Sequence, residues 1–170
     1  MAETIVVKQI SPTRFKDEAF TAAIVAAARK ASHEIVLDYR ETTRSWNHKP
    51  VFEVVINVNP NIEILVGTDD EIYGYVDEGT KPHIIKPKRA RALSFQWGGK
   101  GSYMAKTKPG VIGSQPGGPR GPMVSFKQVH HPGTKARGFS KAIDKKWSAA
   151  FKRRMEHAMS AGADASGHSI

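Results

Sequence analysis

Three histidines, His83, His130 and His131, are the side chains of this chain best suited to holding a metal ion. Imidazole nitrogens ligate zinc and its neighbours when several donors converge on one point. The spacing works against that chemistry. Adjacent residues of an extended segment point to opposite faces, so His130 and His131 do not share an ion, and no carboxylate lies near them in sequence. They read instead as part of a turn beside Pro132-Gly133. A second constellation is acidic: Asp69, Asp70, Glu71, Asp77 and Glu78 could hold magnesium for phosphodiester cleavage. A strand-borne nuclease site needs an acid, then a second acid and a lysine separated by one residue, which alternation puts on the same face. Here Glu78 is followed by Gly79-Thr80-Lys81, and alternation puts the lysine on the opposite side. The cluster is expected to be a solvated turn.

Nucleophilic chemistry has no better support. No Gly-x-Ser-x-Gly elbow occurs, and Gly98-Gly99-Lys100-Gly101-Ser102 lacks the spacing and ending of a phosphate-cradling loop. The absence of cysteine removes thiolate nucleophiles, thiolate zinc sites and disulfides, and fits a reducing cytoplasm. No pattern of residues calls for a metal or another cofactor, and the sequence points away from an enzyme. No targeting signal is visible, and no apolar run approaches the ~18 residues that would suggest a membrane span.

Charge is more informative. The chain has 170 residues and a formal net charge of +10. Between Gly79 and Ile143 there is no aspartate or glutamate, while Lys86, Lys88, Arg89, Arg91, Lys100, Lys106, Lys108 and Arg120 recur along the span. Most of the acid lies upstream, from Glu3 to Glu78. Such a split predicts a field that draws polyanions or an acidic protein face. Phe95, Trp97, Tyr103 and Phe126 interleave with the cations, the mixture used to stack single-stranded nucleic acid, although Phe95 and Phe126 fall on expected strands and read as core. No motif for sequence-specific recognition is present. A non-specific contact with phosphates is the form of nucleic-acid binding that remains.

The elements that would carry these residues follow from periodicity. A helix is expected from near Ser11-Pro12, with Phe20, Ile24, Ala27, Ala28, Ala31 and Ile35 on one apolar stripe whose alanines suit close approach to a sheet. It should end before Trp46. Phe52, Val54, Ile56 and Val58 alternate with polar residues, Asn59-Pro60-Asn61 turns, and Ile62, Ile64 and Val66 return, which predicts an antiparallel hairpin. Further strands are expected at 92–97 and 123–129. Residues 98–122 are rich in glycine, proline and basic side chains and should form no regular structure. That loop is expected either to be a mobile hairpin tip or to order against a neighbouring subunit or polyanion. A last helix should begin near Gly138-Phe139-Ser140, bury Phe139, Ile143, Trp147, Phe151, Met155 and Ala158, and expose Lys141, Lys145 and Lys152. Residues 161–170 look like a flexible tail. The order predicts a single α+β domain over residues 1–160, an antiparallel sheet packed by the two long helices.

Two motifs bracket the basic span. The first runs Tyr75-Val76-Asp77-Glu78-Gly79-Thr80-Lys81-Pro82-His83-Ile84-Ile85-Lys86-Pro87 and closes with Ala92-Leu93-Ser94-Phe95. The second is Val129-His130-His131-Pro132-Gly133-Thr134-Lys135-Ala136-Arg137-Gly138-Phe139, leading into the last helix. Their order and spacing resemble the minor neck and tail-completion proteins of long-tailed bacteriophages, over about residues 14–160. The chain departs from that pattern by its longer basic insertion at 98–122, and by Gly138 where relatives often have Pro. Physically the motif residues read as structural. Gly79 and Gly133 supply backbone angles that other residues resist, Pro82, Pro87 and Pro132 stiffen turns, and Phe139 anchors the helix.

The resemblance implies a structural virion protein without catalysis. It would join the DNA-filled head to the tail, usually within a ring stacked on other neck and tail proteins, and would be assembled in the host cytoplasm. On that reading Lys141, Lys145 and Lys152 dock on an acidic face of a neighbouring subunit, while the loop cations meet either a subunit or genomic DNA. Glu78, Gly79, Thr80, Pro82, His83, His131, Pro132, Gly133 and Phe139 carry the family pattern. The alternative reading is a sequence-independent DNA-binding protein.

Overall fold

Two long helices form the spine of the molecule. In the computed structural model, which describes residues 16–58 and 61–168, α1 spans Asp17–Thr42 and α3 spans Phe139–Ala165, with the short α2 at Glu71–Asp77 between them. The expected start of the first helix at Ser11-Pro12 lies outside the described residues.

The small-residue stripe of α1 decides what the helix packs on. Ala28 and Ala31 are completely buried, and Ala31 meets Ile143 and Trp147 of α3. The alanine face therefore lies on a helix, not on a sheet as its composition suggested. The two helices run antiparallel: Phe20 touches Gly162 at one end, and Asp38 accepts a 2.7 Å hydrogen bond from the Trp147 indole at the other. A side chain at Gly162 would meet the Phe20 backbone at 3.1 Å, so glycine permits this close approach. Polar bridges run along the same seam. Arg154 donates two hydrogen bonds to Glu34 at 2.9 and 2.6 Å, and Lys146 pairs with Asp38 at 2.6 Å. Both cations also lie over the Trp147 ring.

The apolar face expected of α3 is the one observed. Phe139, Ile143, Trp147, Met155 and Ala158 are buried and Phe151 is half-buried. The helix continues to Ala165 with Gly162, Ala163 and Ser166 buried, which corrects the expectation of a flexible tail from residue 161. The Ser166 hydroxyl bonds the Ala163 carbonyl at 2.7 Å and satisfies one of the terminal carbonyls.

The strands make four small antiparallel pairs in place of one sheet. β1 (Glu53–Asn57) and β2 (Glu63–Gly67) form the expected hairpin, with Val54 opposite Val66 and Ile56 opposite Ile64. Ile64 packs on the α1–α3 core, and Val66 on a second cluster of Val36, Phe52, Tyr73 and Phe139. Tyr73 is the hub of that cluster, 5.1 Å edge-on from Phe52 and 5.9 Å from Phe139. Its burial pushes the phenol above its ordinary value of 10.0.

The other three pairs are nested. β3 (His83–Ile85) pairs with β8 (Val129–His131), β4 (Leu93–Gln96) with β7 (Met123–Phe126), and β5 (Tyr103–Met104) with β6 (Gly118–Pro119). Residues 80–134 thus form one long, interrupted hairpin. Its far end turns back onto the body. The Gly110 amide donates to the Arg137 carbonyl at 2.6 Å, Ser114 bonds the Ser45 amide and the Glu41 carbonyl, and Ile112 joins the α1–α3 core. This corrects the expected irregular loop at 98–122: it contains a strand pair and is fastened at its tip. Glycine-rich sequence favoured disorder locally, and tertiary bonds at residues 110–114 oppose it.

Candidate functional site

The two family-like motifs meet at the base of the long hairpin. Thr80 and Thr134 form an isolated antiparallel bridge, each amide bonding the other's carbonyl at 2.9 and 3.1 Å. The Thr80 hydroxyl also accepts from the Thr134 amide at 2.9 Å. The glycine before each threonine packs against the opposite chain. Gly79 has φ +81, and a Cβ there would lie 2.6 Å from the Thr134 carbonyl oxygen. Gly133 has φ +89, and a Cβ there would lie 2.2 Å from the Thr80 carbonyl oxygen. Both positions therefore need glycine twice over, for the left-handed angle and for the missing side chain. Pro82 and Pro132 flank this crossing on its exposed side.

One step farther along the hairpin, His83 stands opposite His131, their ring centroids 5.0 Å apart. His83 Nδ1 bonds the Lys81 carbonyl and His131 Nδ1 accepts from the Gly133 amide, so each ring is tied to its own turn. His130 sits on the other face, opposite Ile84. The histidines are therefore in a strand, where the sequence suggested a turn. Among the described residues no three His, Asp or Glu side chains come together to hold a metal.

On the other side of the bridge, the motif controls the start of α3. Gly138 precedes the helix in a left-handed conformation and offers no side chain to its free amides. Asp77 fills that role from the end of α2. Its carboxylate accepts from the backbone amides of Phe139 and Ser140 and, at 2.6 Å, from the Ser140 hydroxyl. The Asp77 carbonyl also accepts from the amides of Arg137 and Gly138 at 3.1 and 2.9 Å. A negative charge at the positive end of the α3 dipole adds to the hydrogen bonds. Glu78, beside it, is the C-cap of α2 and is exposed. The acidic cluster is thus a capped helix, not a solvated turn: Asp70 accepts from the Tyr73 amide at 2.7 Å and opens α2, and Asp77 leaves it.

The sequence singles out Gly79, Thr80, Gly133 and Phe139, while Asp77 reads there as one acid of a solvated turn within the first motif and its capping role is missed. A signal was available: a helix starting after Gly138 has no capping side chain of its own, which leaves its free amides open to an acceptor from elsewhere in the chain.

The predicted contact cations do not converge. Lys86, Lys88, Arg89 and Arg91 lie exposed between β3 and β4, and Lys100 is in the turn after β4. Lys106 is half-buried along Gly117 and Gly118, while Lys108 and Arg120 are exposed. Lys141, Lys145 and Lys152 occur at i, i+4 and i+11 on α3, an exposed stripe distinct from the Lys146 and Arg154 seam with α1. Of these contact candidates, Lys152 alone has an ion-pair partner among the described residues, Glu156 at 4.0 Å. Phe126, expected in the core, is exposed, while Leu93, Phe95 and Val124 on the same face of β4–β7 are half-buried.

A cleft of about 190 Å³ lies beside Asp77, lined also by Tyr39, Phe52, Asp70, Tyr73 and Ser140. It falls below the ~300 Å³ of ordinary small-molecule sites. No described helix is long and apolar enough to cross a membrane. No protein-family model, no curated protein and no solved structure matches this chain.

Proposed function

We propose that this chain is a structural subunit of a bacteriophage neck, which joins the DNA-filled head to the tail without catalysis and acts in the virion. One observation carries the reading. The two segments that resemble the tail-completion pattern are interlocked through Thr80 and Thr134, which lie 54 residues apart, and together set the N-terminus of α3. The motif residues do a shared architectural job, and they border no catalytic constellation. Such a subunit would contact other neck and tail proteins and neighbouring copies of itself, with the exposed cations available to them. Electron microscopy of lysates from a phage with the gene interrupted tests this. Filled heads beside separate, full-length tails are expected, and normal infectious virions would overturn it.

A second reading, sequence-independent DNA binding, is favoured by one feature. The thirteen Lys and Arg residues of 79–143 have no ion-pair partner among the described residues, and Trp97 and Phe126 are exposed among them. Filter binding of DNA by the free protein across a salt series separates the two readings. A steep fall of affinity with salt supports the second.

A further inference from the structure

Charge changes sign at one peptide bond. Residues 50–78 hold seven acids, Glu53, Glu63, Asp69, Asp70, Glu71, Asp77 and Glu78, with no lysine or arginine; residues 79–143 hold thirteen bases with no acid. Each block carries a two-stranded hairpin with a face of partly exposed apolar side chains that join neither core cluster. In the acidic block, Glu53, Val55 and Asn57 of β1 share the outer face with Glu63, Leu65 and Gly67 of β2. Val55 and Leu65 are a cross-strand pair, 53% and 57% exposed, and both belong to neither core cluster. In the basic block, Leu93, Phe95, Val124 and Phe126 share one face of β4–β7, with the Phe95 and Phe126 rings 5.9 Å apart. Trp97 continues that alternation and, like Phe126, is 43% exposed. None of these five packs into either core cluster. Exposed Lys88, Arg89 and Arg91 stand at one end of this hairpin with Lys127, and Lys100 and Arg120 stand at the other.

We propose that these two faces are the halves of one contact: the Val55–Leu65 face of one copy of this chain docks on the Phe95–Phe126 face of a second copy. The charges select this pairing. Two aromatic faces brought together would oppose cation to cation, and two Val55–Leu65 faces would oppose Glu53 and Glu63 to their own kind. Only the crossed pairing surrounds an apolar centre with opposite charges, and none of the flanking charges has an ion-pair partner among the described residues. Because the joined faces differ, each copy keeps one free half after docking, so the contact is head-to-tail. The inference rests on the reading of the chain as an assembly subunit and names the surfaces it would use.

Sedimentation velocity of the full chain at increasing concentration tests it without phage. The wild type is expected to self-associate, more weakly as salt rises. Leu65→Lys and Phe126→Asp should each weaken association by about tenfold or more. Mixed together, the two variants should give a dimer that grows no further, since one retains each half. Glu53→Lys/Glu63→Lys and Arg91→Glu/Lys127→Glu repeat the experiment with surface charges alone, should an apolar-site variant not fold. A wild type that stays monomeric, or association that survives both single-face variants, overturns the proposal. So does a monomer whose Phe126→Asp change abolishes binding of oligo-dT, because the aromatic face would then serve single-stranded nucleic acid. Separate heads and tails in the gene-interrupted phage, combined with unchanged association of the variants, would sink these surfaces and leave the neck role standing.

Discussion

Asp77 and Phe139 are joined across sixty-two residues by a hydrogen bond from the Phe139 amide to the Asp77 carboxylate, which makes the last residue of one helix the cap of another. Phe139 is itself completely buried against Tyr73, in the same cluster as Val36 and Phe52. One carboxylate therefore fixes both where α3 begins and how its first side chain enters the core. Full burial of such a phenylalanine contributes roughly 2–3 kcal/mol, so displacing the helix start would cost more than the cap alone.

Asp77→Ala is expected to destabilise the fold by about 2 kcal/mol, the upper range for a lost cap because several donors lose one charged acceptor. Asp77→Asn, which keeps one acceptor oxygen, should cost less. Thermal melts check this, with a fall of about 4–8 °C expected for the alanine variant.

Gly133→Ala and Gly79→Ala should each cost more than about 2 kcal/mol, since a left-handed angle is combined with a carbonyl inside contact distance. Gly110→Ala is the control. Its φ is +69 but its surroundings are open, so about 1 kcal/mol is expected. Equal urea midpoints for Gly133→Ala and Gly110→Ala would show that the crossing of the two motifs is not tight.

Arg154 holds the Glu34 carboxyl below its ordinary 4.5, chiefly through its hydrogen bonds, against the opposing effect of desolvation. A depressed folded value means the contribution is complete above the unfolded value and is lost as pH falls through the folded one. Glu34→Gln should therefore shrink the difference in melting temperature between pH 6 and pH 3. A pH profile identical to wild type would show that the pair contributes nothing to the acid response.

Lys141→Glu/Lys145→Glu/Lys152→Glu changes an exposed stripe of α3 without touching the seam to α1. The melt should stay within about 0.5 kcal/mol per site of wild type. On the neck-subunit reading, the variant phage should accumulate unjoined heads and tails. Unchanged yields of infectious particles would remove these lysines from the contact surface.

Much of the architecture is legible because it rests on local periodicity. The Phe139–Ala158 stripe, the Val54/Ile56 alternation and the α+β order need only residue spacing. What is not legible depends on partners distant in sequence. The alanines of α1 suit any flat neighbour, and nothing local says that the neighbour is α3. Gly98–Pro122 looks shapeless because Ser114 and Gly110 find their partners at Glu41, Ser45 and Arg137. Phe126 looks like core because alternation reports a strand, not whether another layer covers it. At the motif crossing, both glycines and Phe139 are legible, while Asp77 is obscured by its acidic neighbours.

The pairing of α1 with α3 also sets a schedule for synthesis. Thr42 ends α1 about a hundred residues before Phe139 opens its partner. At ~5–20 residues per second, a ribosome takes roughly 5–20 s to cover that distance. For those seconds the stripe of Ile24, Ala28, Ala31 and Val36 has no α3 to cover it, and the nascent chain must stay soluble on its charges or in the care of a chaperone. The seam that closes the finished molecule is thus among the last to be available to the growing one.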